Sequence, residues 1–297
     1  METADHGRVV CQLAGRLKQG PVESDLAAVG DRVTITIHPD GSGTIETVAE
    51  RERVFSRARP APTFRKTATD KEQVWVANPD QIVFVMATRE PEPSLRKLDR
   101  FLVVAERNEI PAIICINKID LVSFAKAEET FQIYADIGYS LIFVSAKDGD
   151  GLDELRQCLH NKLTVLAGSS GVGKSSLLNA LEPGLGLRVK AVSEATTKGM
   201  HTTRHVELFA LEGGGYLVDT PGIRSLALFD MEHGELDAYF REIAPLVADC
   251  QFSDCSHTHE EKCAVLRALA DGRISRQRYD SYLRLREEHE SLHKSAY

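Results

Sequence analysis

The sequence predicts a multidomain α/β protein, with a small β-barrel at the N-terminus, a central domain of alternating strands and helices, and a helical C-terminal domain. Three patterns predict this architecture. Segments that alternate between apolar and polar residues come first, nearly continuous apolar runs separated by helical spacing follow, and two helical patterns close the chain. We place the domains at residues 1–66, 67–228 and 229–297.

Composition places the chain among globular proteins. Its 297 residues are 42% hydrophobic and 27% charged, and no apolar run approaches the roughly 20 residues of a membrane helix. The first ten residues lack the pattern of a signal peptide, so we expect a cytoplasmic protein with no membrane partner. The net charge of −8 argues against a uniformly basic nucleic-acid binder, but it leaves room for a local basic face.

Residues 7 to about 60 are predicted to form strands. Val33, Ile35 and Ile37 alternate with polar residues before the turn PDGSG, a pattern that favours a small barrel of the OB type. Between Glu50 and Lys66, six basic residues face two acidic ones. This run is either a solvated face or a surface for RNA, because OB barrels bind oligonucleotides through a sheet face and its flanking loops.

The central region changes to strands that alternate with helices. The runs QIVFVMA, AIICI, LIFVS and LTVLA are typical of parallel strands covered on both faces. Helical spacing of leucines lies between them, and together these patterns predict a doubly wound α/β domain. Further helices are predicted over Glu235–Val247 and Ile274–His293, the latter with Arg and Glu on exposed faces.

A phosphate-binding loop is predicted where the run LTVLA meets a helix, in LTVLAGSSGVGKSSLL. Backbone N–H groups of such a loop surround an anion, Lys174 can reach the β and γ phosphates, and Ser175 can bind Mg²⁺. The alternative is a Gly/Ser-rich turn before an ordinary helix. The predicted contact residues are Gly168, Ser169, Ser170, Gly171, Val172, Gly173, Lys174, Ser175 and Ser176.

Two motifs at strand ends predict guanine as the base. The carboxylate of Asp120, in NKID, can accept hydrogen bonds from the N1–H and 2-amino groups of guanine, which adenine lacks. The SAK loop that begins at Ser145 would place a backbone N–H near guanine O6. SAK alone is a weak signal, but the combination disfavours an ATPase. The predicted base-contact residues are Asn117, Lys118, Asp120, Ser145, Ala146 and Lys147.

The switch segments are predicted from DTPG and HTTR. Asp219 follows the apolar run GYLV at the expected position of Mg²⁺, and the amide of Gly222 can point at a γ-phosphate. Of two adjacent threonines we favour Thr203 as the further magnesium ligand. His201 is the better candidate to orient or activate water, with His205 second and a surface-loop histidine as the alternative.

The order of these motifs is permuted. In a Ras-like GTPase the phosphate loop comes first and NKxD and SAK come last, whereas here NKID and SAK precede the phosphate loop and DTPG follows it. The sequence therefore resembles a circularly permuted Ras-like P-loop GTPase, whose pocket survives because every strand still ends at the same crevice. DTPG then leads directly into the C-terminal domain, so γ-phosphate contacts would couple the switch to that domain.

A metal site is predicted near the C-terminus, in CQFSDCSHTHEEKC. The residues Cys250, Cys255, His257 and Cys263 form a closed ligand set that suits one structural Zn²⁺ per chain. His259 is a rival ligand to His257. A disulfide is the other alternative, disfavoured in a reducing cytoplasm.

The barrel, the permuted motifs and the cysteine cluster together resemble the ribosome small subunit-dependent GTPase family, RsgA (YjeQ/YloQ). The resemblance implies a monomeric factor that binds GTP or GDP, contacts rRNA of the small ribosomal subunit through its OB and zinc domains, and leaves after hydrolysis. It also implies a catalytic role for His201 and Thr203 beside Lys174. Because Ile223 stands where Ras-like enzymes carry the glutamine that orients the attacking water, we expect slow hydrolysis that the subunit stimulates. The alternative is a GTP-gated RNA-binding regulatory module with another target.

Overall fold

The computed structural model describes residues 1–3, 5, 7–18, 25–58, 72–186, 207–219 and 234–295. The chain divides into two compact units, Met1–Pro79 and Asp80–Tyr297. None of the described helices is long and apolar enough to cross a membrane.

The first unit is built from short strands. Their bounds are β1 (Glu2–Thr3), β2 (Gly7–Arg8), β3 (Cys11–Leu13), β4 (Val33–Ile37), β5 (Gly43–Val48), β6 (Val54–Ala58) and β7 (Glu72–Ala77). Strands β1 and β2 pair, β3, β5 and β4 form a second sheet in that order, and β6 pairs antiparallel with β7. Phe55, Val74 and Val76 are buried in its core. The strands predicted in DRVTITI and TIETVAE are confirmed as β4 and β5.

Strand β7 belongs to the first unit, although the sequence analysis assigned its residues to the central domain. It pairs with β6 along its length, and Val76 also bridges to Val29. The predicted boundary at residue 66 itself lies outside the described residues. The apolar residues of β7 complete a small core rather than begin the large sheet.

The second unit contains the predicted doubly wound sheet. Its strands are β8 (Gln81–Ala87), β9 (Ala112–Asn117), β10 (Ser140–Phe143), β11 (Leu163–Ala167), β12 (Glu207–Ala210) and β13 (Tyr216–Asp219). They lie in the order β10-β9-β8-β11-β13-β12, and all are parallel except the edge strand β12. The four apolar runs that predicted parallel strands are thus confirmed as β8, β9, β10 and β11.

Helices cover both faces of this sheet. Their bounds are α1 (Leu95–Arg107), α2 (Phe124–Asp136), α3 (Leu152–Leu159) and α4 (Lys174–Leu181). Two further helices, α5 (Ala264–Ala270) and α6 (Arg276–Ser295), belong to the C-terminal segment. Every residue of β8 is buried. Val83 and Val85 pack with leucines of α3 and α4, whereas Phe84 between them stacks on Phe101 of α1 with ring centroids 5.4 Å apart. A strand buried on both faces explains the continuous apolar run.

The prediction of one helix over Glu235–Val247 is wrong. The structure has two separate 3₁₀ segments there, Leu236–Tyr239 and Ala244–Asp249. Phe240 between them is extended. Pro245 has no N–H to donate, so it cannot continue a helix from the preceding turn. The second predicted helix is confirmed as α6.

Helix α6 packs against α1 through a buried charge at Arg278, an exception to the expectation that its Arg and Glu residues lie on exposed faces, which Arg276 and Glu287 meet. The side chain of Arg278 is only 1% exposed. Its Nη1 lies 2.6 Å from Asp99 Oδ1 on α1, and its Nε lies 2.6 Å from Glu242 Oε1. Asp99 also accepts a 2.7 Å hydrogen bond from the hydroxyl of Tyr134 on α2. The C-terminal segment is therefore joined to the central sheet by an internal ion-pair network.

Candidate functional site

The predicted nucleotide motifs meet at one edge of the sheet. Parallel strands present their carboxyl ends along the same edge, so the loops that follow β8, β9, β10 and β11 lie near one another and near Asp219 at the end of β13. Ala87 at the end of β8 pairs with Asn117, and Leu166 near the end of β11 pairs with Asp219. Segments far apart in the permuted sequence are brought together by strand order.

The side chain of Asn117 joins three of these loops. Its Nδ2 donates to the carbonyl oxygen of Val172 in the phosphate loop at 2.9 Å, and its Oδ1 accepts from the backbone N–H of Ala146 at 3.1 Å. Asn117 is 1% exposed. Because a buried amide with both ends bonded has one orientation, it fixes the phosphate loop relative to the base loop.

Two positions of the phosphate loop, one next to Asn117 and one next to β8, require glycine. Gly173 has a φ of +95°, and a Cβ built there would lie 2.4 Å from Asn117 Nδ2. A Cβ at Gly168 would lie 2.5 Å from the carbonyl oxygen of Val85 on β8. The phosphate loop thus runs against β8 and the base loop with no space for side chains at these two positions.

Lys174 folds back over the phosphate loop as the first residue of α4. Its Nζ donates to the carbonyl oxygens of Gly168 at 2.7 Å and Ser169 at 3.1 Å. The Lys174 ammonium thus lies within the phosphate loop at the N-terminus of α4. Backbone N–H groups and the positive potential of the helix end also favour the binding of an anion there.

Asp120 is held by the SAK loop. Its Oδ1 accepts a 3.0 Å hydrogen bond from the Ser145 hydroxyl, and its Oδ2 lies 3.8 Å from Lys147 Nζ. The Asp120 side chain is 12% exposed, whereas that of Lys147 is 77% exposed. Ser145 therefore fixes the carboxylate, and the exposed lysine adds little because water screens it.

Thr88, which follows β8 and belongs to no motif, has a role that the sequence did not predict. Its hydroxyl donates to the carbonyl oxygen of Lys118 at 2.6 Å, and its N–H donates to the carbonyl oxygen of Asn117 at 3.0 Å. Lys118 has a φ of +64°, a conformation that a lysine rarely adopts. Thr88 thus stabilises the turn between Asn117 and Asp120, whose side chains both contact the SAK loop.

The predicted switch residues are described only in part. Asp219 is half-buried at the carboxyl end of β13. His201, Thr203 and Gly222, together with the second candidate His205, lie outside the described residues.

The four predicted metal ligands form one cluster. The ligand atoms of Cys250, Cys255, His257 and Cys263 all lie within 4.8 Å of one another. Sγ of Cys250 lies 3.9 Å from Sγ of Cys263, and His257 Nδ1 lies 3.6 Å and 3.4 Å from these two sulfurs. Tetrahedral Zn²⁺ separates two sulfur ligands by about 3.8 Å and sulfur from nitrogen by about 3.6 Å. The donor set could hold a zinc ion with little movement.

The cluster also decides between the alternatives left by the sequence. His257 is fully buried, whereas His259 is exposed and its Nδ1 contacts the Thr258 hydroxyl at 2.7 Å. The cysteines are free thiols, and the 3.9 Å between Cys250 and Cys263 is far longer than a disulfide bond. His257 is therefore the histidine of the cluster.

Hydrogen-bond donors surround the sulfur atoms. Burial raises the pKa of the Cys250 thiol, but N–H donors of Ala264 and Val265 outweigh burial and bring this pKa below its ordinary value. Burial raises the pKa of Cys255 to about 12. A metal ion bound among the sulfur atoms would lower the pKa values of these thiols, because thiols that coordinate a metal lose their protons.

Glu260, which the sequence analysis did not single out, organises the loop between the ligands. Its carboxylate accepts from the backbone N–H groups of Ser256 at 2.6 Å, Thr258 at 2.9 Å and His259 at 3.1 Å. These bonds outweigh the effect of burial and hold the pKa of Glu260 well below its usual range. The only sequence signal is an acidic residue within a polar turn.

This fold and these loops define a P-loop GTPase with a permuted motif order. The RsgA GTPase family model matches residues 50–229, so the chain belongs to that family. The small ribosomal subunit biogenesis GTPase RsgA of Chlorobaculum parvum is 41% identical over 96% of this chain and 92% of its own length.

Two solved structures are similar to this chain over most of its length. YjeQ from Thermotoga maritima superposes with a TM-score of 0.78 at 36% identity, covering 97% of this chain and 92% of YjeQ. YloQ, described as a circularly permuted GTPase, superposes with a TM-score of 0.71 at 35% identity, covering 98% of this chain and 89% of YloQ. The permutation predicted from motif order is thus shared with a solved relative.

Proposed function

We propose that this chain hydrolyses GTP to GDP and phosphate during late maturation of the small ribosomal subunit, and that hydrolysis triggers its release. The name of the Chlorobaculum parvum relative supports this setting. The observation that carries the proposal is the convergence on Asn117, whose amide lies 2.9 Å from the Val172 carbonyl oxygen and 3.1 Å from the Ala146 nitrogen. These contacts support a single pocket between the base and phosphate loops.

Asp120 would select guanine in this pocket. Its carboxylate, held by Ser145 at 3.0 Å, would accept hydrogen bonds from N1–H and the 2-amino group. The N–H of Ala146 is already bonded to Asn117. Guanine O6 would therefore be met by a neighbouring N–H of the SAK loop. Adenine would leave the carboxylate unpaired, which disfavours its binding.

The phosphate loop and the switches would hold the rest of the nucleotide. Backbone N–H groups from Gly171 to Ser176 and the Lys174 ammonium would surround the β and γ phosphates. Ser175, Asp219 and Thr203 would hold Mg²⁺, which supplies charge neutralisation at those phosphates. His201 would orient the attacking water.

The flanking domains would contact rRNA, with the N-terminal unit acting as an OB-type barrel. Part of the basic run of that unit is used internally, since Arg51 Nε lies 2.7 Å from the buried carboxylate of Asp31. Contact with phosphates would therefore depend on the remaining basic residues up to Lys66. The C-terminal cluster would hold one structural Zn²⁺, and the protein would act as a cytoplasmic monomer.

Turnover of GTP with isolated ribosomal subunits tests the proposal. We expect slow hydrolysis by the chain alone, strong stimulation by small subunits and none by large subunits. His201→Ala should lower the stimulated rate and spare GTP affinity. GTP binding without stimulation by small subunits would contradict the proposal and favour a GTP-gated regulatory module with another target.

A further inference from the structure

The imidazole of His257 has different partners at its two nitrogens. Nδ1 faces the cluster, 3.4 Å from Sγ of Cys263 and 3.6 Å from Sγ of Cys250. Nε2 faces away from it and lies 3.1 Å from Oδ2 of Asp237. His257 is fully buried, and the Asp237 side chain is 15% exposed. The ring is thus sandwiched between a metal-ligand cluster and a carboxylate.

This arrangement determines which nitrogen can bind a metal. A neutral imidazole carries one N–H, and a carboxylate can only accept a hydrogen bond. The proton therefore stays on Nε2, and the lone pair of Nδ1 is presented to the sulfur atoms. A carboxylate on the far nitrogen also makes the ligating nitrogen more basic.

Asp237 lies outside the ligand motif. It belongs to the 3₁₀ segment Leu236–Tyr239, thirteen residues before Cys250. The neighbouring Leu236 is 4% exposed, and this segment packs against α1, a helix that lies on the central sheet. The carboxylate is therefore positioned by the GTPase core rather than by the cysteine loop.

Two other contacts of His257, one to its backbone and one to its ring, do not distinguish the ring nitrogens. The Tyr279 hydroxyl donates to the carbonyl oxygen of His257 at 2.7 Å, and the Tyr282 ring lies with its centroid 6.1 Å from the imidazole. Neither contact engages a ring nitrogen. The bond to Asp237 is the contact of the described residues that distinguishes Nε2 from Nδ1.

We propose that Asp237 is a positioning residue of the metal centre, which selects the Nε2–H form of His257 so that Nδ1 ligates Zn²⁺. The proposal rests on the proposed zinc site and adds a residue that is neither a ligand nor part of the cysteine motif. It makes a segment packed on α1 part of the metal centre.

Zinc affinity of the full chain tests this role, measured by competition between the protein and a chromophoric chelator for Zn²⁺. Asp237→Ala should weaken zinc affinity roughly 10- to 100-fold, because it removes the partner of a ligating histidine. Asp237→Asn keeps an acceptor oxygen and should lose less. Asp254→Asn is the control, since Asp254 is an exposed aspartate between Cys250 and Cys255, and this variant should bind zinc as the unmodified chain does.

A second measurement separates positioning from a merely structural role. In the zinc-loaded chain with ¹⁵N-labelled histidine, long-range ¹H–¹⁵N spectra should show His257 protonated at Nε2 and bound through Nδ1. Unchanged GTP affinity in Asp237→Ala and Asp237→Asn would show that the central domain is intact. Zinc affinity of Asp237→Ala equal to that of Asp254→Asn, or a proton on Nδ1, would overturn the role of Asp237. Failure of the unmodified chain to bind zinc would instead overturn the zinc site and this inference with it.

Discussion

The nucleotide loops extend from a sheet that is buried on both faces, whereas the metal centre lies on a segment with few apolar side chains. All residues of β8 are buried, and β9 is buried over its last four residues. Between Cys250 and Cys263, in contrast, the described residues that are buried are His257 and Cys263, and Phe252 is 48% exposed. Hydrophobic burial therefore places the nucleotide loops, whereas the ligand segment has polar contacts in place of burial and would depend on the proposed zinc ion.

Metal removal should show the largest difference between the two regions. Zinc binding stabilises small zinc domains by about 10–16 kcal/mol, and the ligand segment here has little burial to replace it. We expect chelation to increase amide hydrogen exchange throughout residues 250–263 while GTP affinity is retained. A parallel loss of GTP affinity would contradict the comparison, because the nucleotide loops would then also depend on the metal.

The buried ion pair of Arg278 joins the two regions. Arg278→Met would leave the carboxylates of Asp99 and Glu242 buried without their partner, and breaking such a pair costs about 3–5 kcal/mol. We expect a decrease of this size in the free energy of unfolding, measured by urea titration.

A matched control for Arg278 lies two residues earlier on the same helix. Arg276 pairs with Asp280 at 3.0 Å, and its side chain is 74% exposed. Arg276→Met should cost only about 0–1 kcal/mol, since water screens an exposed pair. Equal effects of the two variants would show that the network around Arg278 does not hold the C-terminal segment.

The contrast between burial and polar contact also explains what the sequence could predict. The strands β8 to β11 and the loops after them could be predicted because continuous apolar runs indicate strands buried on both faces. The two hydrogen bonds of the Asn117 side chain could not be predicted, because they depend on strand order and register between residues far apart in the chain. Motif spacing gave the residue type but not its partners.

The C-terminal segment was harder to predict for a physical reason. Spacing leaves His257 and His259 equivalent, and burial alone separates them. Arg278 follows the pattern of a solvated helix face, and the carboxylates that neutralise it come from Asp99 and Glu242, distant in sequence. Buried charge leaves no hydrophobic pattern, so sequence periodicity cannot locate it.

Base selection by Asp120 provides the next test on the nucleotide side. Asp120→Asn removes two hydrogen bonds to a charged acceptor, each worth about 1.5–3 kcal/mol, so GTP affinity should fall by roughly 100-fold or more. Xanthosine triphosphate should become the preferred nucleotide in competition binding. Asp150→Asn, an exposed change in the neighbouring SAK loop, should leave the preference for GTP intact. Unchanged preference in Asp120→Asn would place this carboxylate outside the pocket.

The smallest effect is expected from the bridge between the loops. Asn117→Ala would remove the partners of the Val172 carbonyl and the Ala146 N–H, and an unsatisfied buried group costs about 1–3 kcal/mol. Because the sheet still places both loops, the fold should persist. GTP affinity should nevertheless fall by about tenfold, the equivalent of 1.4 kcal/mol, since the loops lose their fixed spacing. Zinc affinity should not change.

Asn108→Ala separates this effect from general loss of stability. Asn108 also makes an amide hydrogen bond, from Nδ2 to the Val104 carbonyl oxygen at 2.7 Å, but at the end of α1. It should lower the free energy of unfolding by about 1 kcal/mol and leave GTP affinity unchanged. If both variants lowered GTP affinity equally, the pocket would respond to stability in general. A loss confined to Asn117→Ala would mean that burial brings the loops together and one polar side chain sets their separation.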